Sequence, residues 1–242
     1  MSLPASLVIP TYNERDNLVP LLDAVRRAMA GRDLEIWIVD DDSPDRTWQA
    51  AAHYGDTHPE VRVVRRMNQR GLSGAVLEGF GRAGGDVLAV MDADLSHDPA
   101  ILPRLVDAVR GGADLAVGSR RVPGGGAERW PWHRRQASDA ATALARWWLR
   151  VPLADPMSGY FVLHRRVFER VREHLRPQGY KILLEIVCRA GPLDIVELPY
   201  VFRDRRQGVS KLSPRVGWEF LASVWALGRR SPQPRPTGGR RG

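Results

Sequence analysis

The sequence predicts an α/β fold with a largely parallel sheet flanked by helices. Two observations carry this reading. Short apolar runs of strand length alternate with stretches of helical periodicity up to about residue 118, the pattern of successive strand–helix–strand units. Acidic and polar residues also follow directly on several of the apolar runs, which in a parallel sheet brings them to one rim, at the carboxyl ends of the strands. A chain of 242 residues can bury a sizeable core, and the unbroken pattern argues for a single domain over residues 1–230.

The first strand is Ser6-Leu-Val-Ile-Pro10, followed by a helix from Arg15 to Ala30 with Leu18, Leu21, Leu22, Val25 and Met29 on one face. A second strand, Leu34 to Val39, runs into Asp40, Asp41 and Asp42. Ser43-Pro44-Asp45 then supplies turn and helix-start chemistry. The pattern continues with a strand at Val61 to Arg65, a helix after Gly71, a strand at Val87 to Met91 and another at Asp114 to Gly118. Beyond that point it changes. Residues 129–150 carry Trp130, Trp132, Trp147 and Trp148 among arginines and alanines. There Asp139, Thr142, Arg146 and Arg150 are expected on one polar stripe beside a wide apolar surface. Residues 215–230 form a similar amphipathic segment, and 231–242, rich in Pro, Gly and Arg, reads as a disordered tail.

Charge and cysteine usage narrow the function. Thirty-six Lys and Arg against 28 Asp and Glu leave a net +8, which favours nucleic acid, anionic lipid or phosphorylated partners. The single cysteine, Cys188, rules out an intramolecular disulfide and a thiolate zinc cluster. No uncharged apolar stretch approaches the roughly 20 residues of a spanning helix. The start of the chain lacks a signal-peptide pattern, so the expectation is a cytoplasmic protein that lies on a membrane if it meets one.

Asp92-Ala93-Asp94 sends two carboxylates out of the sheet edge together. Like charges so close disfavour each other's ionisation unless a cation lies between them, and hard oxygens suit Mg2+ or Mn2+. The competing reading is a simple turn. Asp40 to Asp42 read either as a solvated turn or, through Asp41, as an acceptor for a nucleoside. Tyr12 is suited to stacking on a base and Glu14 to accepting from one, while Asn13 and Glu14 also suit a helix start. Gly118-Ser-Arg120, Gly179-Tyr-Lys181 and Arg205 to Lys211 supply the cations that phosphate chemistry needs.

The segments Val8-Ile-Pro-Thr-Tyr-Asn-Glu14, Val39-Asp-Asp-Asp-Ser-Pro-Asp45, Asp92-Ala-Asp-Leu95, Gly118-Ser-Arg120 and Gly208-Val-Ser-Lys211 resemble the inverting family-2 glycosyltransferases. Asp155-Pro-Met-Ser-Gly-Tyr160 and Gly179-Tyr-Lys-Ile-Leu-Leu-Glu185 narrow the resemblance to dolichol- or polyprenol-phosphate mannose synthases, over residues 6–212. The resemblance implies a GT-A fold, GDP-mannose as donor, a polyprenyl monophosphate as acceptor and one divalent ion, Mg2+ or Mn2+. Pro10, Tyr12, Glu14, Val39 and Asp41 would then hold the nucleoside, and Asp92, Ala93 and Asp94 the ribose, metal and diphosphate. Arg205 and Lys211 would close on the donor phosphates, with Lys181 near the sugar or phosphate. Arg120 and Arg134, with Ser138, would receive the acceptor phosphate, and Asp94, Arg120 and Lys211 would carry the chemistry.

Ser96 departs from the glutamine often found there as a further metal ligand, and no membrane-spanning helices are appended, which points to interfacial binding through 129–150 and 215–230 or to a separate membrane partner. A related transferase using UDP-glucose or another nucleotide sugar is the nearest alternative. A nucleic-acid-binding module fits the charge, but the acidic rim would repel a polynucleotide, so no nucleic acid is expected as partner.

Overall fold

The computed structural model describes residues 4–128, 132–149, 151–177 and 182–203. Lys181, Arg205, Lys211, the segment 215–230 and the tail 231–242 lie outside them, as do the side chains of Arg134 and Ser138.

The alternation read from the sequence folds in the expected order: β1 (Ala5–Thr11), α1 (Arg15–Ala28), β2 (Leu34–Asp40), α2 (Thr47–Gly55), β3 (Val61–Arg65), α3 (Leu72–Arg82), β4 (Val87–Val90), α4 (Leu102–Arg110) and β5 (Leu115–Ser119). The chain continues through β6 (Gly126–Ala127), α5 (Trp132–Leu149), β7 (Phe161–His164), α6 (Arg165–Val171), α7 (Ile182–Ala190), β8 (Ile195–Pro199) and β9 (Val201–Phe202). Seven of these strands form one sheet in the order β3-β2-β1-β4-β7-β5-β8, and β6 pairs with β9 beside it. The sheet is parallel except at β7, which runs antiparallel to both β4 and β5.

Each strand residue alternates between two apolar layers, as a period of two requires. Leu7 and Ile9 of β1 and Ala89 of β4 join the layer built with Leu18, Leu21, Leu22 and Val25 of α1 and with Leu102, Leu105, Val106 and Val109 of α4. Val8, Leu88 and Val90 face the other layer, with Val76 and Phe80 of α3, Phe168 of α6 and Leu183 of α7. In α1 and α4 the buried positions recur at i, i+3, i+4 and i+7, so one stripe of each helix covers the sheet and its polar residues stay in water. Both faces are therefore dry, and only the strand ends are open to a ligand.

In α5 the expected stripe is not uniformly outward. Thr142 is 4% exposed and Asp139 pairs with Arg121, whereas Trp147 is 73% and Trp148 40% exposed beside Leu144 at 37%. Polarity along a helix states that two faces differ; which face turns inward depends on what the neighbouring elements offer. Among the described residues no helix is long and apolar enough to cross a membrane.

Candidate active site at the reversal of strand order

From β1 the chain moves outward through β2 to β3, then returns to lay β4 on the other side of β1. Beyond the carboxyl ends of β1 and β4 the connections diverge, and this crevice is where open α/β sheets take ligands. Thr11-Tyr-Asn-Glu14, Asp40-Asp41-Asp42 and Asp92-Ala-Asp94 leave the sheet here, as expected.

The β1 and β2 loops are laced together. Asp40, fully buried, accepts from the Thr11 hydroxyl (2.7 Å) and from the Ser43 hydroxyl (2.6 Å) and amide (2.8 Å). Asn13 N donates to Ser43 Oγ, Glu14 N to Thr47 Oγ1 and Arg15 N to Asp45 Oδ2. The aspartate run is thus a built joint rather than a solvated turn. Asp41 Oδ1 takes 2.7 Å hydrogen bonds from the Arg66 guanidinium and Oδ2 from Gly71 N, at the start of α3. Burial pushes the Asp41 carboxyl above the usual range, against the pull of Gly71 N and Arg66. Tyr12 stands half-buried with the Arg70 guanidinium 4.9 Å from its ring centroid.

After β4 the chain makes a tight turn. Asp94, 4% exposed, accepts at Oδ1 from both the amide (3.1 Å) and the hydroxyl (2.5 Å) of Ser96. Arg203 N beyond β9 donates to Ser96 O. These bonds hold Leu95 at φ +60°, a left-handed conformation costing a leucine roughly 1–2 kcal/mol. Asp92 is more open, its side chain 32% exposed, and its Oδ2 lies 3.2 Å from His97 Nε2. The turn reading and the carboxylate-pair reading of Asp-x-Asp are therefore compatible: the turn's own hydrogen bonds fix Asp94 and the His97 contact steadies Asp92, both just past the end of β4. Two hard carboxylates fit Mg2+ or Mn2+ in the manner of ions that complete their shell with substrate phosphates.

Across the rim, at the end of β5, Arg120 forms a forked pair with Asp155: Nε to Oδ2 at 2.7 Å and Nη2 to Oδ1 at 2.8 Å, while Arg120 N donates to Oδ2 at 3.0 Å. Burial works against the charge on Asp155, but the Arg120 hydrogen bonds and charge outweigh it and hold the carboxyl below the usual range. The same pairing, against burial, raises Arg120.

The Glycosyl transferase family 2 model matches residues 6–172, the span that carries the acidic loops and the Arg120–Asp155 pair. The chain belongs to glycosyl transferase family 2. The transferase is 43% identical over 229 residues to the dolichol-phosphate mannosyltransferase of Pyrococcus furiosus, covering 93% of this chain and 64% of that one. It is 41% identical over 214 residues to the polyprenol monophosphomannose synthase of Mycolicibacterium smegmatis, covering 86% of this chain and 80% of that one. Among solved structures, a mannosyltransferase from Pyrobaculum calidifontis in complex with GDP-mannose and Mn2+ superposes with a TM-score of 0.68 at 18% identity, covering 98% of this chain and 67% of that one. The fold of the transferase is thus the GT-A fold that the sequence resemblance implied.

Of the residues anticipated at its site, Tyr12, Glu14, Asp41, Asp92, Ala93, Asp94 and Arg120 all stand at the strand ends. Pro10 and Val39, also anticipated there, stand one residue before the ends of β1 and β2 with their side chains buried. Arg120, expected to meet phosphate, also anchors Asp155. Arg66, His97, Asp155, Gly159 and Tyr200 were not anticipated as site residues. Asp155 and Gly159 lay within a recognised motif without a role.

Gly159 owes its place to a close approach. A Cβ there would lie 2.9 Å from Asp92 Oδ2 and 3.3 Å from its Cγ. Because the obstructed group is the end of one side chain, Gly159→Ala is expected to displace Asp92 and spare the fold. Turnover should fall about tenfold to a hundredfold, as misplacement on the order of 1 Å does, with the melting temperature nearly unchanged. A Gly159→Ala enzyme with wild-type turnover would show that Asp92 needs no fixed position.

Proposed function

We propose that the protein transfers mannose, with inversion, from GDP-mannose to a polyprenyl monophosphate, giving a polyprenyl phosphate β-mannose. One observation carries the reading: the acidic rim and the Arg120–Asp155 pair face one crevice in a chain 41% identical over 86% of its length to a polyprenol monophosphomannose synthase. The domain is taken as residues 1–230.

The chemistry divides between two sides of the crevice. Tyr12, Glu14 and Asp41 hold the nucleoside, with Arg66 keeping Asp41 in place. Asp92 and Asp94 hold the divalent ion, Mg2+ or Mn2+, which when bound offsets charge on the donor diphosphate and on the departing GDP. By the family resemblance, Lys181, Arg205 and Lys211 add cations for the donor phosphates and sugar. Arg120, with Arg134 and Ser138, receives the acceptor phosphate. That acceptor needs no side-chain base, since a phosphate monoester with a second pKa of about 6 is largely dianionic at neutral pH and attacks directly. What it needs is placement and charge balance beside a negative donor, which arginines provide.

A lipid acceptor sets the location: the protein works peripherally on the cytoplasmic face of a membrane. Trp147, Trp148 and Leu144 give α5 an exposed apolar edge suited to the lipid headgroup boundary. The test uses the purified full chain with a panel of nucleotide sugars, a short polyprenyl phosphate in anionic vesicles, and Mg2+ or Mn2+, reading lipid product by mass. Expected is a hexose adduct from GDP-mannose alone, absent with chelator and absent when the free polyprenol replaces its phosphate. Transfer from UDP-glucose in preference, or efficient transfer to the free alcohol, would overturn the assignment.

A further inference from the structure

The His97 imidazole lies between the acidic rim and the end of β8. It is 2% exposed and enclosed by rings, with the centroids of Tyr160, Tyr200 and Phe202 at 5.1, 5.5 and 5.6 Å. A polar ring in such a cage costs free energy unless its nitrogens are partnered, and both are: Nε2 lies 3.2 Å from Asp92 Oδ2 and Nδ1 2.9 Å from the Tyr200 hydroxyl.

These two bonds decide the tautomer. An ionised carboxylate only accepts, so Nε2 carries the hydrogen and donates it to Asp92. In the neutral ring Nδ1 is then the acceptor, and the Tyr200 hydroxyl donates to it. Tyr200 keeps its proton for this purpose, because burial raises its hydroxyl far above its ordinary range, against the pull of Arg120. Asp92 is thereby fixed at Oδ2 by His97 on one side, while Gly159 leaves it room on the other.

We propose that His97, its tautomer set by Tyr200, is a positioning residue for the transfer reaction, holding the Asp92 carboxylate in the single orientation in which it meets the nucleotide sugar. The inference rests on the reading of this rim as a nucleotide-sugar site. It gives a role to a histidine buried beneath the rim. Its physical basis is preorganisation: an acid already oriented by its supporting side chain loses less freedom when the donor arrives.

The test compares His97→Leu, His97→Gln and Tyr200→Phe in the full chain. In protein without ligand, histidine nitrogen NMR is expected to show the Nε2–H tautomer for His97, and a mixture with the Nδ1–H form in Tyr200→Phe. With Mn2+, calorimetric GDP affinity is expected to fall about 10–100-fold in His97→Leu, the range for losing an outer-shell partner. His97→Gln, whose amide nitrogen can still donate to Asp92, should recover most of it. A His97→Leu protein that binds GDP and Mn2+ as wild type does, a His97→Gln protein no better than His97→Leu, or an Nδ1–H tautomer in wild type would each overturn the proposal. If His97→Leu fails to fold, Tyr200→Phe decides, and unchanged tautomer and affinity there would equally refute it. Wild-type transfer in the same preparation keeps the two questions apart: wild type that binds GDP and Mn2+ but moves no mannose counts against the proposed reaction, not against His97.

Discussion

Asp94→Asn is expected to leave a folded protein that no longer transfers sugar. The amide retains an Oδ1 that can accept from Ser96 N and Ser96 Oγ, so the turn that holds Leu95 left-handed survives. What disappears is a negative charge at the place proposed for a divalent ion. Charge stabilisation by such an ion contributes several kcal/mol, which corresponds to a loss of roughly a thousandfold in rate. The measurement pairs a thermal melt with turnover at saturating donor. A normally melting Asp94→Asn enzyme turning over at the wild-type rate would remove Asp94 from any role in holding an ion.

The second large effect is on stability. Asp155 is fully buried and meets Arg120 through three hydrogen bonds, with Arg120 itself only 14% exposed. Asp155→Ala would remove the carboxylate that forks onto the mostly buried Arg120 guanidinium, at a cost of about 3–5 kcal/mol, which lowers the melting temperature of a domain of this size by about 10 °C. The pH dependence follows from the direction of the shift. The Asp155 carboxyl in the folded protein titrates below its unfolded value of about 3.9, so the pair's contribution is whole above that pH and is lost as pH falls through the lower folded value. Wild type and variant should therefore differ most at neutral pH and converge in strong acid. A variant melting within a degree of wild type at pH 7 would mean that water or another acid takes over Arg120.

Much of this site could be read before any coordinates because its acidic half is local. Thr11 to Glu14, Asp40 to Asp42 and Asp92 to Asp94 each follow a strand within a residue or two, and an apolar run ending in acids is visible in a short window. The other half is made by pairs distant in sequence. Tyr200 meets His97 across 103 residues, Asp155 meets Arg120 across 35, and Arg66 meets Asp41 across 25. No periodicity records such meetings; they exist only once the sheet has set its strand order. The direction of β7 was hidden for a related reason. Phe161-Val-Leu-His164 has the same apolar character as the parallel strands, and its reversal comes from the path of the chain through β6 and α5.

The inverted strand divides the labour of the molecule. β1, β2 and β4 deliver their polar residues as the chain leaves the sheet, whereas Asp155, Ser158 and Gly159 reach the same crevice as the chain is about to enter β7. Between Arg120 and Asp155 lies an excursion that includes α5, with Arg134, Ser138 and the exposed tryptophans, and it is clamped at both feet by one buried ion pair. The strands β1, β2 and β4 that carry the acidic rim all lie outside this excursion, so the register of the rim is set by one stretch of chain and the exposed tryptophans by another.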